Sequence, residues 1–208
     1  MKVWDLATRL YHWVQALLFV ALMASGFSGN GPHVQLGLVL ATLLVWRVIW
    51  GFVGSETSRF RQFVGSPKSI MLYLLGNSPQ KAGHNPAGGW MVIVMISALL
   101  LQCFSGLAIA GLLDGLPMTQ YWLTDEVFGI LESIHFGLVN LLPAIIGLHV
   151  GAVLFYKLRG KPLTKAMITG VQTHVVSGER VKFVSQLRAL LMLVVSASVT
   201  MAIIAFSS

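Results

Sequence analysis

Six histidines are the residues in this chain whose chemistry sits least easily with their surroundings: His12, His33, His84, His135, His149 and His174. Four of them, His12, His33, His135 and His149, fall inside long apolar runs, where an imidazole must find a partner. An imidazole in such a place can bind a metal, pass a proton or hydrogen-bond to a neighbouring helix. His135 and His149 are 14 residues apart. In a helix that is about 21 Å of rise, and the rotation falls about 40° short of four whole turns, so both rings share a face.

The elements that must position these rings follow from composition. The 208 residues are 56% hydrophobic and only 10% charged, with a mean hydropathy of +0.78. A soluble domain carries about 25% charged residues, so a soluble enzyme and a disordered chain are both excluded. Five apolar stretches, roughly 10–29, 34–53, 90–113, 133–158 and 187–206, are long enough to cross a hydrocarbon core, which takes about 20 helical residues. The first could pass for a cleaved leader, since Lys2 and Arg9 precede it and Ala24-Ser25-Gly26 offers small residues. Asp5, His12 and Gln15 count against that, and it is read as a retained helix. The single cysteine, Cys103, excludes a disulfide framework, and the absence of a Cys-x-x-Cys-His run excludes c-type haem attachment.

Charge sets the expected orientation. All 14 basic residues lie before or at the start of the first helix, between late helix 2 and helix 3, or between helices 4 and 5. The opposite side has none, but holds Asp114, Asp125, Glu126 and Glu132. The positive-inside rule then places the N-terminus in the cytoplasm and the C-terminus outside. The net charge of +7 and the pI of 9.9 are a topology signal, not a nucleic-acid surface. Gly29-Asn30-Gly31-Pro32 reads as a tight turn making helices 1 and 2 antiparallel neighbours. In the inner loop, Ser66-Pro67 starts a short helix whose Ile70, Met71, Tyr73 and Leu74 lie along the membrane surface. Residues 114–132 read as an acidic outer segment, with Tyr121, Trp122 and Phe128 at interface depth.

Depth now sorts the four rings into two pairs: His33 with His135 near the outer surface, and His12 with His149 near the inner one. Two imidazoles facing each other, twice, suit two b haems, each iron held from both sides. Another metal, a proton path or plain interhelical packing remain open on the residues alone. Pro143 is expected to bend helix 4, and Gly37, Gly106, Gly137, Gly147 and Gly151 give room for flat macrocycles or close helix approach. Arg47, 14 residues after His33, reaches the depth of His149, where it either pairs with a propionate of the inner haem or snorkels to the surface. Arg9, three residues before His12, has the same two readings.

Several separated motifs resemble one family. Val3-Trp4-Asp5-Leu6-Ala7-Thr8-Arg9-Leu10-Tyr11-His12-Trp13, then His33 with Gly37, Arg47, Trp50, Gly51 and Phe52, look like the bacterial cytochrome b561 family, which includes the cytochrome b subunits of nickel–iron hydrogenases. So do Gly83-His84-Asn85-Pro86-Ala87-Gly88-Gly89-Trp90-Met91 and the stretch from His149 to Ala166-Met167-Ile168-Thr169-Gly170. The likeness covers about residues 1–170. It implies an all-α membrane protein: a four-helix transmembrane bundle holding two b haems on His12, His149, His33 and His135, exchanging electrons with membrane quinone. His84, in one of these motifs, is expected near the inner haem's propionates or a quinone. Residues 171–208 depart from the pattern and add a fifth C-terminal transmembrane helix.

The expected function is electron transfer across the membrane between the quinone pool and a redox partner, a periplasmic cytochrome c or enzyme subunit. Three classes stay in play: that carrier, a non-haem transporter using the same histidines, and a membrane anchor or cytochrome b subunit of a larger dehydrogenase or hydrogenase complex. A homodimer or a complex through the fifth helix fits the third. Glu132 reads as a proton carrier at an outer quinone site or as an acid at a helix N-terminus. Asp114, Asp125 and Glu126 attract a basic partner or solvate a loop. His174 is expected to be solvated, and Cys103 and the Met91–Met95 stretch to be core packing.

Overall fold

A computed structural model describes residues 1–75, 82–173 and 181–207. Asp5 starts the first helix, α1 (Leu6–Ser28), by accepting a 2.6 Å hydrogen bond from the Thr8 amide. The carboxylate thus satisfies one of the donors a helix start leaves open. Gly29, at φ +64°, ends α1, and a short turn leads to α2 (His33–Val53). A 3-10 turn (Glu56–Ser58), α3 (Phe60–Phe63) and α4 (Pro67–Leu74) follow. Ser66 caps α4 and Pro67 takes its first turn.

Asn85 caps α5 (Pro86–Ile109), so this helix begins four residues earlier than its hydropathy implies. Gly111, at φ +70°, lies just beyond its end. After α6 (Thr119–Trp122) comes α7 (Asp125–Leu158), capped by Thr124. Its 34 residues rise about 51 Å, well beyond a hydrocarbon core. The expected outer segment 114–132 is therefore corrected at its second half: residues 125–132 are the first two turns of α7. Asp125 and Glu126 occupy the first turn, where a helix dipole favours acids. Pro143 lies inside α7, which runs on through it. Then come α8 (Leu163–Thr169) and α9 (Gln186–Ser207).

Among the described residues five helices are long and apolar enough to span a membrane: α1, α2, α5, α7 and α9. The closest packing runs in an arc, α1 on α2, α2 on α5, α5 on α7, with α9 outside α2. The ends of the arc, α1 and α7, are not among the closely packed pairs. A central apolar layer of Leu40, Leu44, Leu99, Leu138 and Leu142 joins α2, α5 and α7, with Leu18, Phe19 and Leu22 of α1 packed on it. α9 is fixed to α2 by polar contacts: Trp46 Nε1–H, which lipid would leave unsatisfied, donates to the Ala189 carbonyl at 3.0 Å, and the Thr42 and Thr200 hydroxyls are 2.7 Å apart. The N-terminal residues close the other end, with the Val3 and Trp4 amides donating to the Gly170 carbonyl at 2.7 and 3.1 Å.

Candidate functional site

The long helix α7 presents His135 and His149 to two other helices. His149 faces His12 of α1 with ring centroids 6.4 Å apart, and His135 faces His33 of α2 at 6.5 Å. The His12–His149 pair bridges α1 and α7, the two ends of the arc, and the His33–His135 pair bridges α2 and α7. Two imidazoles bound through nitrogen to one metal, at about 2.0–2.1 Å each, put their ring centres about 6.4 Å apart. A bare metal ion would call for further protein ligands. Among the described residues no group of three or more His, Cys, Asp or Glu could hold one. The two-ligand pairs therefore suit an iron whose four equatorial positions a macrocycle already fills. Between the pairs lies the leucine layer, so each pair has its own compartment.

At the His33–His135 end a cavity of about 690 Å³ is lined by both rings and by Gly26, Gly37 and Gly106. Glycine is required at two of these positions by close approach: an added Cβ would lie 3.1 Å from His33 Cε1 at Gly26 and 2.9 Å from His135 Cε1 at Gly106. Three polar residues hold the rings. Ser25 Oγ is 3.0 Å from His33 Nδ1, Ser105 Oγ is 3.2 Å from His135 Nδ1, and Gln102 Nε2 is 3.2 Å from His135 Nε2. Sequence reasoning missed all three, since a serine or glutamine in an apolar run carries no signal of what it faces.

The His12–His149 end is built differently. His12 Nδ1 is buried without a hydrogen-bond partner, and so are Arg47 Nη1, Arg9 Nε and His84 Nδ1. Unpartnered buried guanidinium N–H groups are costly, and those of Arg47 and Arg9 point to an acceptor from outside the chain. Arg47 is only 3% exposed and lies 5.1 Å from the Phe60 ring centre, which corrects the snorkelling alternative. Arg9 donates through Nη1 to the Ile168 carbonyl. The His84 ring is wedged between Trp4 and Phe63, with centroids at 4.7 and 4.5 Å. Burial first, and then the Arg47 charge, push its pKa down to about 3, so it is neutral at physiological pH. A second cavity, of about 590 Å³, opens beside it among Arg61, Tyr73, Tyr156 and Lys165. There the two tyrosine hydroxyls are 2.5 Å apart.

The remaining candidates scatter. Asp114, Asp125, Glu126 and Glu132 are exposed, and Glu132 lies two turns inside α7, so its reading as an acid at the helix N-terminus is corrected. Cys103 packs against the central leucine layer. His174 lies outside the described residues.

Comparison with known proteins shows which family the chain resembles. The family model for prokaryotic cytochrome b561 matches residues 3–170. A probable Ni/Fe-hydrogenase B-type cytochrome subunit of Rhizobium leguminosarum bv. viciae is 26% identical over 160 residues, 62% of this chain and 67% of the relative. A protein of the same description from Azotobacter vinelandii is 27% identical over 159 residues, 61% of this chain and 65% of the relative. The chain thus spans about two thirds of the length of these curated relatives. No solved structure matches it. With five span-length helices and this match, the chain belongs to the prokaryotic cytochrome b561 family, as a multi-pass membrane b-type cytochrome of electron transfer.

Proposed function

We propose that the chain holds two b haems and carries electrons between membrane quinone and a redox partner on the opposite face. The observation that carries this reading is the pair of facing imidazole pairs, at 6.4 and 6.5 Å, with no third protein ligand beside them among the described residues. A haem with both axial positions filled supplies one-electron transfer without an open site for oxygen. His12 and His149 hold one iron, and His33 and His135 the other. Arg47 and Arg9 bind the propionate carboxylates of the first, which would satisfy their buried unpartnered nitrogens. The leucine layer excludes water between the two centres.

In this reading residues 1–170 are the dihaem core and 171–208 a cytoplasmic segment and added helix, in the bacterial inner membrane. The N-terminus is cytoplasmic and the C-terminus periplasmic. The family match ending at residue 170 supports the division, and the segregation of basic residues supports the orientation. The partner is a periplasmic cytochrome or an enzyme subunit. The hydrogenase subunits among the relatives favour membership of a larger complex, with α9 or the exposed acids as its contact surface.

The test is haem content per chain in the purified protein and in His→Ala variants. Two b haems in the parent, with one lost from H33A or H135A and the other from H12A or H149A, is the expected outcome. A folded chain that keeps both haems in any single variant would overturn the pairing.

A further inference from the structure

The two ends differ in what lies behind the imidazoles. Ser25 donates to the Leu22 carbonyl at 3.2 Å, and with its proton placed there its oxygen accepts from His33 Nδ1, 3.0 Å away. Ser105 likewise donates to the Gln102 carbonyl at 3.0 Å, and must accept from His135 Nδ1 at 3.2 Å. That same carbonyl, itself only an acceptor, is 3.2 Å from His135 Nδ1. The Gln102 carbonyl fixes the His135 proton on Nδ1 and its lone pair on Nε2, and the Ser25 arrangement gives His33 the same orientation. Each serine is followed by the glycine that lets its ring approach: Ser25-Gly26 on α1 for His33, and Ser105-Gly106 on α5 for His135. Two different helices thus present the same Ser-Gly pair to the two facing rings.

At the other end this device is missing. His12 Nδ1 is buried with no hydrogen-bond partner, and at no described glycine does the His12 or His149 ring stand among the nearest contacts an added Cβ would make. The nearby charge is instead the buried Arg47 guanidinium.

We propose that Ser25-Gly26 and Ser105-Gly106 are matched seats that orient His33 and His135 and hold the iron between them at a lower redox potential than the iron between His12 and His149. This rests on the dihaem reading above. An acceptor behind a metal-bound imidazole raises its basicity and favours the more oxidised metal. A buried cation without such an acceptor favours the reduced one. Ser25 and Ser105 are positioning residues, acting through the histidines they face. At equilibrium the first electron settles at the His12–His149 end.

The experiment is a spectroscopic redox titration of the full-length purified protein beside Ser25→Ala, Ser105→Ala, Ser25→Thr and Ser196→Ala. Ser196 is a fair control, since it is fully buried in α9 and donates to the Met192 carbonyl at 2.8 Å, away from the histidines. Loss of an outer-shell partner weakens a metal site roughly ten-fold or more. For a one-electron couple a ten-fold change is about 59 mV. S25A and S105A are expected to raise the lower midpoint by about that much and leave the upper one in place, with S196A moving neither and S25T restoring the parent value. Haem lost from S25A but regained in S25T supports the proposal equally. Two unmoved midpoints in both alanine variants, movement of the upper midpoint instead, or a loss that S25T does not reverse would overturn it. A parent protein without two haems would fail earlier, and would overturn the dihaem reading itself.

Discussion

Gly106→Ala is the most sensitive probe of the site that the geometry offers. The new Cβ would lie 2.9 Å from His135 Cε1 and 3.3 Å from Nδ1. Ordinary carbon contacts start near about 3.5 Å, so the ring must retreat by roughly 0.6 Å. It has little freedom to do so, because Ser105, Gln102 and the facing His33 ring surround it. Metal–ligand bonds tolerate changes of only about 0.2 Å, so most of the strain falls on the iron bond. Overpacking of this size costs about 1–3 kcal/mol, which taken from haem affinity is a roughly 5- to 150-fold weakening. Haem per chain, by pyridine haemochrome, is expected to fall from two toward one, the loss coming from the His33–His135 end. Gly26→Ala, at 3.1 Å from His33 Cε1, should give a milder form, and Gly129→Ala, with open space around it, no change. A G106A protein holding two haems with unshifted spectra would refute the placement of His135 as a ligand.

Other expectations follow from single contacts. Trp46→Phe removes the donor to the Ala189 carbonyl and should lower stability in detergent by about 1 kcal/mol, read as a fall in unfolding temperature. Asp5→Ala removes the α1 cap, along with an acceptor for Ser58 Oγ at 3.3 Å, and should cost about 0.5–2 kcal/mol in the same assay. His84 carries a pH dependence whose sign is fixed: its folded pKa of about 3 lies below the ordinary 6.5, so the unfolded chain binds the proton first. Its contribution is intact above pH 6.5 and declines as the pH falls toward 3. His84→Phe, which keeps a ring between Trp4 and Phe63, should flatten the unfolding temperature across that window, and an unchanged slope would contradict the burial of His84.

Some of this was legible in the sequence for a simple reason. A 14-residue spacing in a helix fixes both height and face, and so assigns His135 and His149 to opposite ends of one side of α7. Helix starts were less legible, because hydropathy counts a capping residue as polar and stops there. Asp5, Asn85 and Thr124 each lie outside the apolar run and yet begin a helix by accepting a backbone N–H. The serines behind the rings were invisible for another reason: a hydroxyl in an apolar helix ordinarily bonds its own backbone, as Ser25 and Ser105 do. Only their nearness to His33 and His135 distinguishes them from Ser196. Arg47 was placed at the right depth, but its burial against Phe60 depends on the chain after α2 folding back over it.

The central claim is tested most directly by low-temperature electron paramagnetic resonance of the oxidised protein, with spins counted per chain. Two bis-imidazole centres are expected to give two low-spin ferric haems per chain and no high-spin fraction. A high-spin signal matching one spin per chain would show an axial position without its histidine, and a single low-spin haem would show that one of the two pairs holds no iron.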